Sequence, residues 1–300
     1  MTSHDDIRLG TVVPAHDRTA EVIAQLLPHG FETFQLSFGR SVGSFNLAGL
    51  AARVGEVLAG HEPADGIPRR ISCLGVYGNP LTSPETAHDW ERLIDAAHLF
   101  GSDIVAGFAG RISERPILES LPRFAEVFGP LARRAEVQGV RLAFENCPQR
   151  GTWERGDWNI AHAPRAWDAM FAAVESPVLG LQWEPCHQIV SLVDPLPQLR
   201  DHAARIWHIH GKDAAVFRDI LRVHGLRGGV PYVEHRLPGS GETDWGNLIR
   251  TLRASGWRGS IDIEGFHDPV FREALETTGQ VAALRHLQIC RGGPFIPNVW

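Results

Sequence analysis

RIWHIHGKD, residues 205–213, alternates along its length. Extended chain sends successive side chains to opposite faces, so Trp207 and Ile209 share one face while His208, His210 and Lys212 share the other. Such a strand has an apolar back to pack against something and a front carrying chemistry. Three further stretches repeat the design: VRLAFENCP (140–148), VLGLQWEPCH (178–187) and SIDIEGFHD (260–268). Glu145 lies on the face of Ala143, opposite Leu142 and Phe144. Gln182 and Glu184 oppose Leu181 and Trp183, and Asp262 and Glu264 oppose Ile261 and Ile263. The large apolar sets belong under helices, which turns the polar sets inward and places their last members at the C-terminal ends of the strands.

Working outward, strands are predicted at 140–146, 178–184, 205–210 and 260–265, and earlier at 8–13, 32–38, 71–77 and 103–108. Amphipathic segments separate them. Ser83-Pro84 reads as an N-cap followed by proline at the first helical position, with Trp90, Leu93, Ile94 and Ala97 forming a stripe and Gly101 as a left-handed stop. Pro164 opens another helix, with Trp167, Met170, Phe171 and Val174 on one face. A third runs from Asp244 to Gly256. Eight strands alternating with helices specify a parallel sheet with crossovers, and eight closes a barrel. The expected class is α/β, a single-domain (β/α)8 TIM barrel over residues 1–300.

Three regions stand apart. Residues 1–7 are expected to be a flexible N-terminus. Residues 211–243 are too long for a simple connection and read as a loop or lid after the seventh strand. Residues 289–300, ending RGGPFIPNVW, read as an apolar tail packing across the barrel or a neighbouring subunit.

The 300 residues are 43% hydrophobic and 21% charged with a net charge of −6, which argues against nucleic acid as a partner. No apolar run reaches spanning length, so no membrane partner is expected. Four cysteines without a C-x-x-C pair, and no signal pattern, fit a cytoplasmic protein. A homo-oligomer is expected, with a second, different subunit left open.

Three carboxylates buried together cost several kcal/mol each without compensation, and a divalent cation resolves the conflict. Glu145, Glu184, His210 and Glu264 are therefore the expected metal ligands. One nitrogen and three oxygens favour Mn²⁺ first, then Mg²⁺, with Co²⁺ and Zn²⁺ as alternatives. Cys147 and Cys186 lack the further soft partners that a thiolate site requires. Two glutamates flanking a carbon next to a carbonyl can remove and return a proton, so Glu145 and Glu264 are the expected catalytic pair. His187, Lys212, Arg236, His208 and Trp153 are the expected substrate-binding residues, each against a plainer structural reading. For Lys212 that reading is an ion pair with Asp213, for Arg236 a loop anchor and for His208 a hydrogen-bonded core histidine; for the acids it is an ordinary ion-pair network with Lys212, Arg236, His208 or His187.

These residues, with ENCP at 145–148, HIHGKD at 208–213 and RLPGSGETDW at 236–245, resemble the xylose isomerase-like barrel superfamily over about residues 8–288. That superfamily includes sugar isomerases and epimerases, inosose dehydratases and endonuclease IV relatives. The resemblance implies that Glu145 and Glu264 both bind metal and act as acid and base, that Glu184 and His210 complete the coordination, and that His187 bonds a substrate oxygen. Glu184 and Cys186 depart from the aspartate and serine more common in the family.

The implied activity is a divalent-metal-dependent sugar or keto-sugar isomerase or epimerase, working through a metal-stabilised ene-diolate. The alternative is a lyase sharing the first step, an inosose-type dehydratase or a 3-keto-glycoside eliminating enzyme. An endonuclease IV-like phosphodiesterase would need histidines after the third and fourth strands, where the chain reads YGNPL and GFAGR. With no phosphate cradle evident, a non-phosphorylated sugar is the expected small-molecule partner.

Overall fold

The computed structural model describes residues 4–63 and 65–299. Its strands are β1 (Ile7–Pro14), β2 (Thr33–Ser37), β3 (Arg70–Val76), β4 (Ile104–Gly107), β5 (Arg141–Glu145), β6 (Leu179–Trp183), β7 (Ile206–Gly211), β8 (Asp213–Val216), β9 (Val233–Arg236) and β10 (Gly259–Ile263). Its helices are α1 (Thr19–Leu26), α2 (Leu47–Ala59), α3 (Pro84–Ala96), α4 (Ile117–Gln138), α5 (Pro164–Ala173), α6 (Pro185–Val190), α7 (Pro195–His202), α8 (Arg218–His224), α9 (Trp245–Ala254) and α10 (Glu276–Arg291). Eight strands close a barrel in the order β1-β10-β7-β6-β5-β4-β3-β2, and β8 and β9 form a separate two-stranded sheet. The chain is a (β/α)8 barrel, and each of the eight expected strands is present. No described helix is long and apolar enough to cross a membrane.

Two compact units divide the chain. One takes residues up to Thr11, Glu184–Ala204 and the chain from His210 onward; the other takes Val12–Trp183 and Arg205–Ile209.

In the second of these units the strand alternation finds its physical cause. Phe144 turns its ring to Trp90 of α3 (6.0 Å between centroids) and to Phe124 and Phe128 of α4 (5.5 and 4.8 Å). Burying each such ring is worth about 1.5–3 kcal/mol. With Phe144 held under the helices, the pleat points Glu145 to the opposite face. The pairing of β6 with β7 runs Leu181↔Ile206 and then Gln182↔His208, so Trp207 is the extra residue of a bulge. Gly180 makes the bulge possible, because a Cβ there would stand 2.2 Å from Trp207 Nε1 and 2.4 Å from Arg205 O. The caps are as expected: Ser83 Oγ accepts from Thr86 N, and Gly101 is left-handed.

In the other unit β1 pairs in parallel with β10, from Ile7↔Gly259 to Thr11↔Ile263. Residues 211–243 differ from an irregular loop: β8 and β9 pair antiparallel, with Ala214 opposite His235 and Asp213 opposite Arg236, and α8 lies between them. Buried Asp213 closes this excursion, accepting from Thr243 N (3.0 Å), Thr243 Oγ1 (2.7 Å) and Trp245 Nε1 (3.1 Å). That use of both carboxylate oxygens explains the T-D-W triplet of the sequence, and it takes Asp213 away from Lys212. Gly241 is needed there too, since a Cβ would meet Asp213 Oδ1 at 2.3 Å.

The terminal readings also shift. Residues 1–3 and Trp300 lie outside the described residues. His4 and Asp6 are tied down: His4 Nε2 lies 2.9 Å from Gly293 O, Arg253 Nε donates to Asp6 Oδ2 at 2.7 Å, and Ile7 already belongs to β1. Helix α10 continues to Arg291, so the irregular tail starts at Gly292, which caps it in the left-handed region.

Candidate functional site

Glu184 is the last extended residue after β6, and Pro185 at the first helical position forces the turn into α6. Three residues on, His187 comes back over the start of that helix, its Nε2 3.3 Å from Glu184 Oε1. His210 lies near the end of β7, and its Nδ1 stands 3.3 Å from Glu184 Oε2 and 3.1 Å from Glu264 Oε2. Glu264 follows β10 directly, its own N–H donating to Gly211 O at 3.2 Å. Lys212 enters from the same face of the chain as His210. Its Nζ donates to Glu264 Oε1 at 2.8 Å and lies 3.8 Å from Glu184 Oε1. Glu184, His187, His210 and Lys212 are all buried.

Burial pushes carboxyl protonation up, but the charges of His187 and Lys212, with hydrogen bonds from His187 and His210, outweigh it and hold Glu184 well below the usual range. For Glu264, burial and the nearby Glu184 push upward, while Lys212 and His210 bring its pKa to about 2. Lys212 loses water on burial, yet the Glu264 and Glu184 carboxylates raise its pKa well above normal. The three groups are a carboxylate pair and an ammonium at neutral pH.

One imidazole nitrogen facing two carboxylate oxygens at 3.1 and 3.3 Å is poorly explained by hydrogen bonding alone, since Nδ1 carries at most one hydrogen. Neighbouring ligand atoms around a divalent cation with bonds of about 2.1 Å stand about 3 Å apart. Glu184, His210 and Glu264 therefore fit a cation, and their hard oxygen and imidazole donors suit Mn²⁺ or Mg²⁺ better than a thiophilic metal. Cys186 stays a thiol: burial, with the Glu184 charge, pushes its pKa well above normal.

Two further histidines, His235 and His267, stand beside this group. Register on the antiparallel ribbon brings His235 to α6, where its Nδ1 is 3.1 Å from Cys186 Sγ. Its ring centroid is 5.9 Å from that of His187 and 5.8 Å from that of His267. Burial and then the Lys212 charge bring the His235 pKa down to about 4. His267 adopts φ 75°, a strained value for a side-chain-bearing residue, in the turn that Asp268 ties to Leu237 N at 3.0 Å. No periodic pattern marks either histidine. The signal that does exist is the G-F-H-D turn directly after an acidic strand end.

Arg236 lies on β9 with its guanidinium on Glu234. In the larger unit, His208 is buried deeper than the strand ends: its Nδ1 is 3.1 Å from Gln182 Nε2, and Gln182 continues to Gln35 and Tyr77. Trp153 has the Arg165 guanidinium 4.6 Å over its ring, which leaves at most one face for a sugar. Glu145 closes β5 and is buried. No pattern in the sequence marks Arg111, which is fully buried and donates to the carbonyls of Arg115, Thr152 and Trp153.

His162 beside Arg111 sets an acid limit on this unit. Burial and the Arg111 charge lower its pKa to about 4, against about 6.5 in the unfolded chain. A group whose folded pKa is depressed supports the fold above its unfolded value and withdraws that support as pH falls from about 6.5 to 4. The loss by pH 4.5 is expected to be about 2 kcal/mol. Thermal unfolding at pH 7.5 and 4.5 checks it: His162→Gln should flatten the drop in Tm by about 4 °C, and equal drops would contradict the assignment.

The profile of the xylose isomerase-like TIM barrel family matches residues 23–289. A rhizopine catabolism protein of Rhizobium meliloti is 29% identical over 171 residues, 54% of this chain and 49% of that protein. The chain thus spans about half the length of that curated relative. Among solved structures, the 3-keto-D-glucoside 4-epimerase of E. coli superposes with a TM-score of 0.67 at 15% identity, covering 93% of this chain and 99% of that one. An L-ribulose 3-epimerase gives 0.65 at 16% identity over 94% and 92% of the two chains. A probable 3-DHS dehydratase from Bacillus anthracis gives 0.64 at 12% identity over 93% and 98%. Likeness at these identities establishes the fold.

Proposed function

The chain belongs to the xylose isomerase-like TIM barrel family, and on that premise we propose that it is a divalent-metal-dependent isomerase or epimerase of a non-phosphorylated sugar or keto-sugar. The observation that carries this reading is His210 Nδ1 set between the Glu184 and Glu264 carboxylates with the Lys212 ammonium alongside. Glu145 is the fourth member of the proposed ligand set. It pairs in register with Gln182, and Glu184 lies two residues beyond Gln182, hence on the same face. The Glu184 and Glu264 carboxylates against the Lys212 ammonium leave one negative charge, a Glu145 carboxylate would add a second, and a divalent cation neutralises both.

A bound cation would supply Lewis-acid polarisation of a substrate carbonyl and charge stabilisation for the anion left when a neighbouring proton departs. The protein supplies the rest. Glu145 and Glu264 take and return the proton. His187 and Lys212 bring hydrogen-bond donors to the substrate oxygens, and a substrate oxygen that draws on the Lys212 ammonium frees Glu264 to act as a base. Arg236 and Trp153 stand further out, as contacts for the distal part of the sugar.

The test is deuterium incorporation from D₂O into a panel of ketoses, inososes and 3-keto-glucosides by Mn²⁺-loaded protein, read by mass spectrometry. Label on the carbon next to the carbonyl together with a new epimer or a shifted carbonyl is expected. Loss of water or of an aglycone instead would assign the lyase chemistry to the same first step. No exchange across the panel, with metal bound, would remove the proposal.

A further inference from the structure

The chain after β5 folds back on itself, and two buried asparagines hold it there. Asn79, following β3, donates through Nδ2 to Arg111 O and Asp157 O, both at 2.7 Å, and accepts at Oδ1 from Leu81 N (3.1 Å) and Arg111 N (3.0 Å). Asn159 donates through Nδ2 to Glu145 O and Cys147 O, both at 2.8 Å, and accepts at Oδ1 from Ala109 N and Ala161 N, both at 3.1 Å. Each amide uses both donors and two acceptor sites, its full capacity. The two side chains do the same kind of work on the same loop, but Asn159 is the one that grips the backbone of Glu145.

We infer that Asn159 is a positioning residue for the Glu145 carboxylate, an inference that rests on the ligand and acid–base role proposed above for Glu145. The carbonyls of residues 145 and 147 are held by one NH₂ group whose own oxygen is fixed to the end of β4 through Ala109. That sets the 145–146 and 147–148 peptide planes around buried Asn146, and with the first of them the direction in which the Glu145 Cα–Cβ bond leaves the strand. A parallel bridge between Gly110 and Asn159, with Ile160 N donating to Gly110 O at 3.1 Å, fixes the asparagine's own backbone. A ligand and proton carrier must be held to about 0.5 Å, and strand ends do not achieve this unaided.

Asn159→Asp separates positioning from mere support. The carboxylate still accepts from Ala109 N and Ala161 N, but it has no hydrogen for Glu145 O and Cys147 O and repels both. Asn79→Asp makes the same chemical change in the same loop without touching Glu145. Isothermal titration with Mn²⁺ is expected to show affinity falling about tenfold in Asn159→Asp and within twofold of wild type in Asn79→Asp. At saturating Mn²⁺, Asn159→Asp should lose about 100-fold in kcat with KM changed less than threefold. Equal affinity losses in the two variants, or none in Asn159→Asp, would overturn the inference. Glu145→Ala is measured beside them. If it weakens Mn²⁺ binding while Asn159→Asp does not, the positioning role alone fails; if Glu145→Ala leaves binding unchanged, the ligand reading beneath it fails and takes the inference with it. Asn159→Ser, with one hydroxyl on a shorter stem, serves the same comparison should the aspartate variant not fold.

Discussion

Glu264→Gln is expected to lower the rate of substrate isomerisation or epimerisation about 10⁴-fold at saturating Mn²⁺ while the protein stays folded. Glutamine keeps the shape of the side chain and still offers an oxygen to Lys212 Nζ, now 2.8 Å from Glu264 Oε1, so the local packing persists. It cannot take up a proton at working pH. A positioned base or acid contributes about 10²–10⁴-fold, and the weaker cation ligand adds to the loss. The sign of the pH dependence follows from the environment of the carboxyl. Lys212 and His210 overcome burial and bring Glu264 to about 2, so it is ionised throughout the ordinary range and any acid limb above pH 4 in the wild-type rate belongs to another group. The mirror variant Glu145→Gln sharpens the test. With one base on each side of the reacting carbon, either substitution stops inversion, yet each leaves deuterium exchange from the one epimer whose proton faces the surviving glutamate. Stopped-time labelling of both epimers reads this directly. A fall of less than tenfold in Glu264→Gln with metal saturating would show that Glu264 does not handle the proton.

Most of this barrel is legible in the sequence because period-two alternation and burial are the same fact seen twice. Phe144 goes under α3 and α4, so Glu145 goes the other way; Ile263 is buried in the β1–β10 pair, and Glu264 emerges one residue later. The partner of Lys212 was available from the same rule. Lys212 shares a face with His210, and Asp213 takes the opposite one, which sends Lys212 to Glu264 and Asp213 to Thr243 and Trp245. What the sequence hides is whatever depends on pairings between distant segments with no period. His235 reaches Cys186 because β9 lies antiparallel to β8 in one register, which nothing in VEHRLPG announces. Arg111 is equally silent, since its guanidinium is held by backbone carbonyls, which leave no trace in a sequence.

Lys212→Met is expected to destabilise the metal-free protein by about 3–5 kcal/mol at pH 7, lowering Tm by about 5–8 °C. Methionine fills nearly the same volume, so the loss is electrostatic. Lys212 is 2% exposed and compensates the buried Glu184 carboxylate at 3.8 Å and the partly exposed Glu264 carboxylate at 2.8 Å, and removing one partner from a buried ion group leaves an uncompensated charge. Two pH dependences carry the same information with opposite sign. Lys212 is raised by its partners, so its support is complete below the unfolded lysine pKa and disappears as pH climbs beyond it. Glu264 is depressed, so its support is complete above the unfolded glutamate pKa and disappears as pH falls toward about 2. Between those limits the pair is at full strength, and that is where the variant should differ most from wild type. Acidification should narrow the gap, because protonated carboxyls no longer need the ammonium. A divalent cation should narrow it as well, supplying positive charge to the same carboxylates; binding at about 1,000 times Kd adds about 4 kcal/mol to the folded state. Scanning calorimetry of both proteins at pH 7 and pH 4, with and without Mn²⁺, measures all four cases. A variant Tm within 2 °C of wild type without metal, or a gap that Mn²⁺ leaves untouched, would mean that Lys212 and the cation do not answer to the same carboxylates.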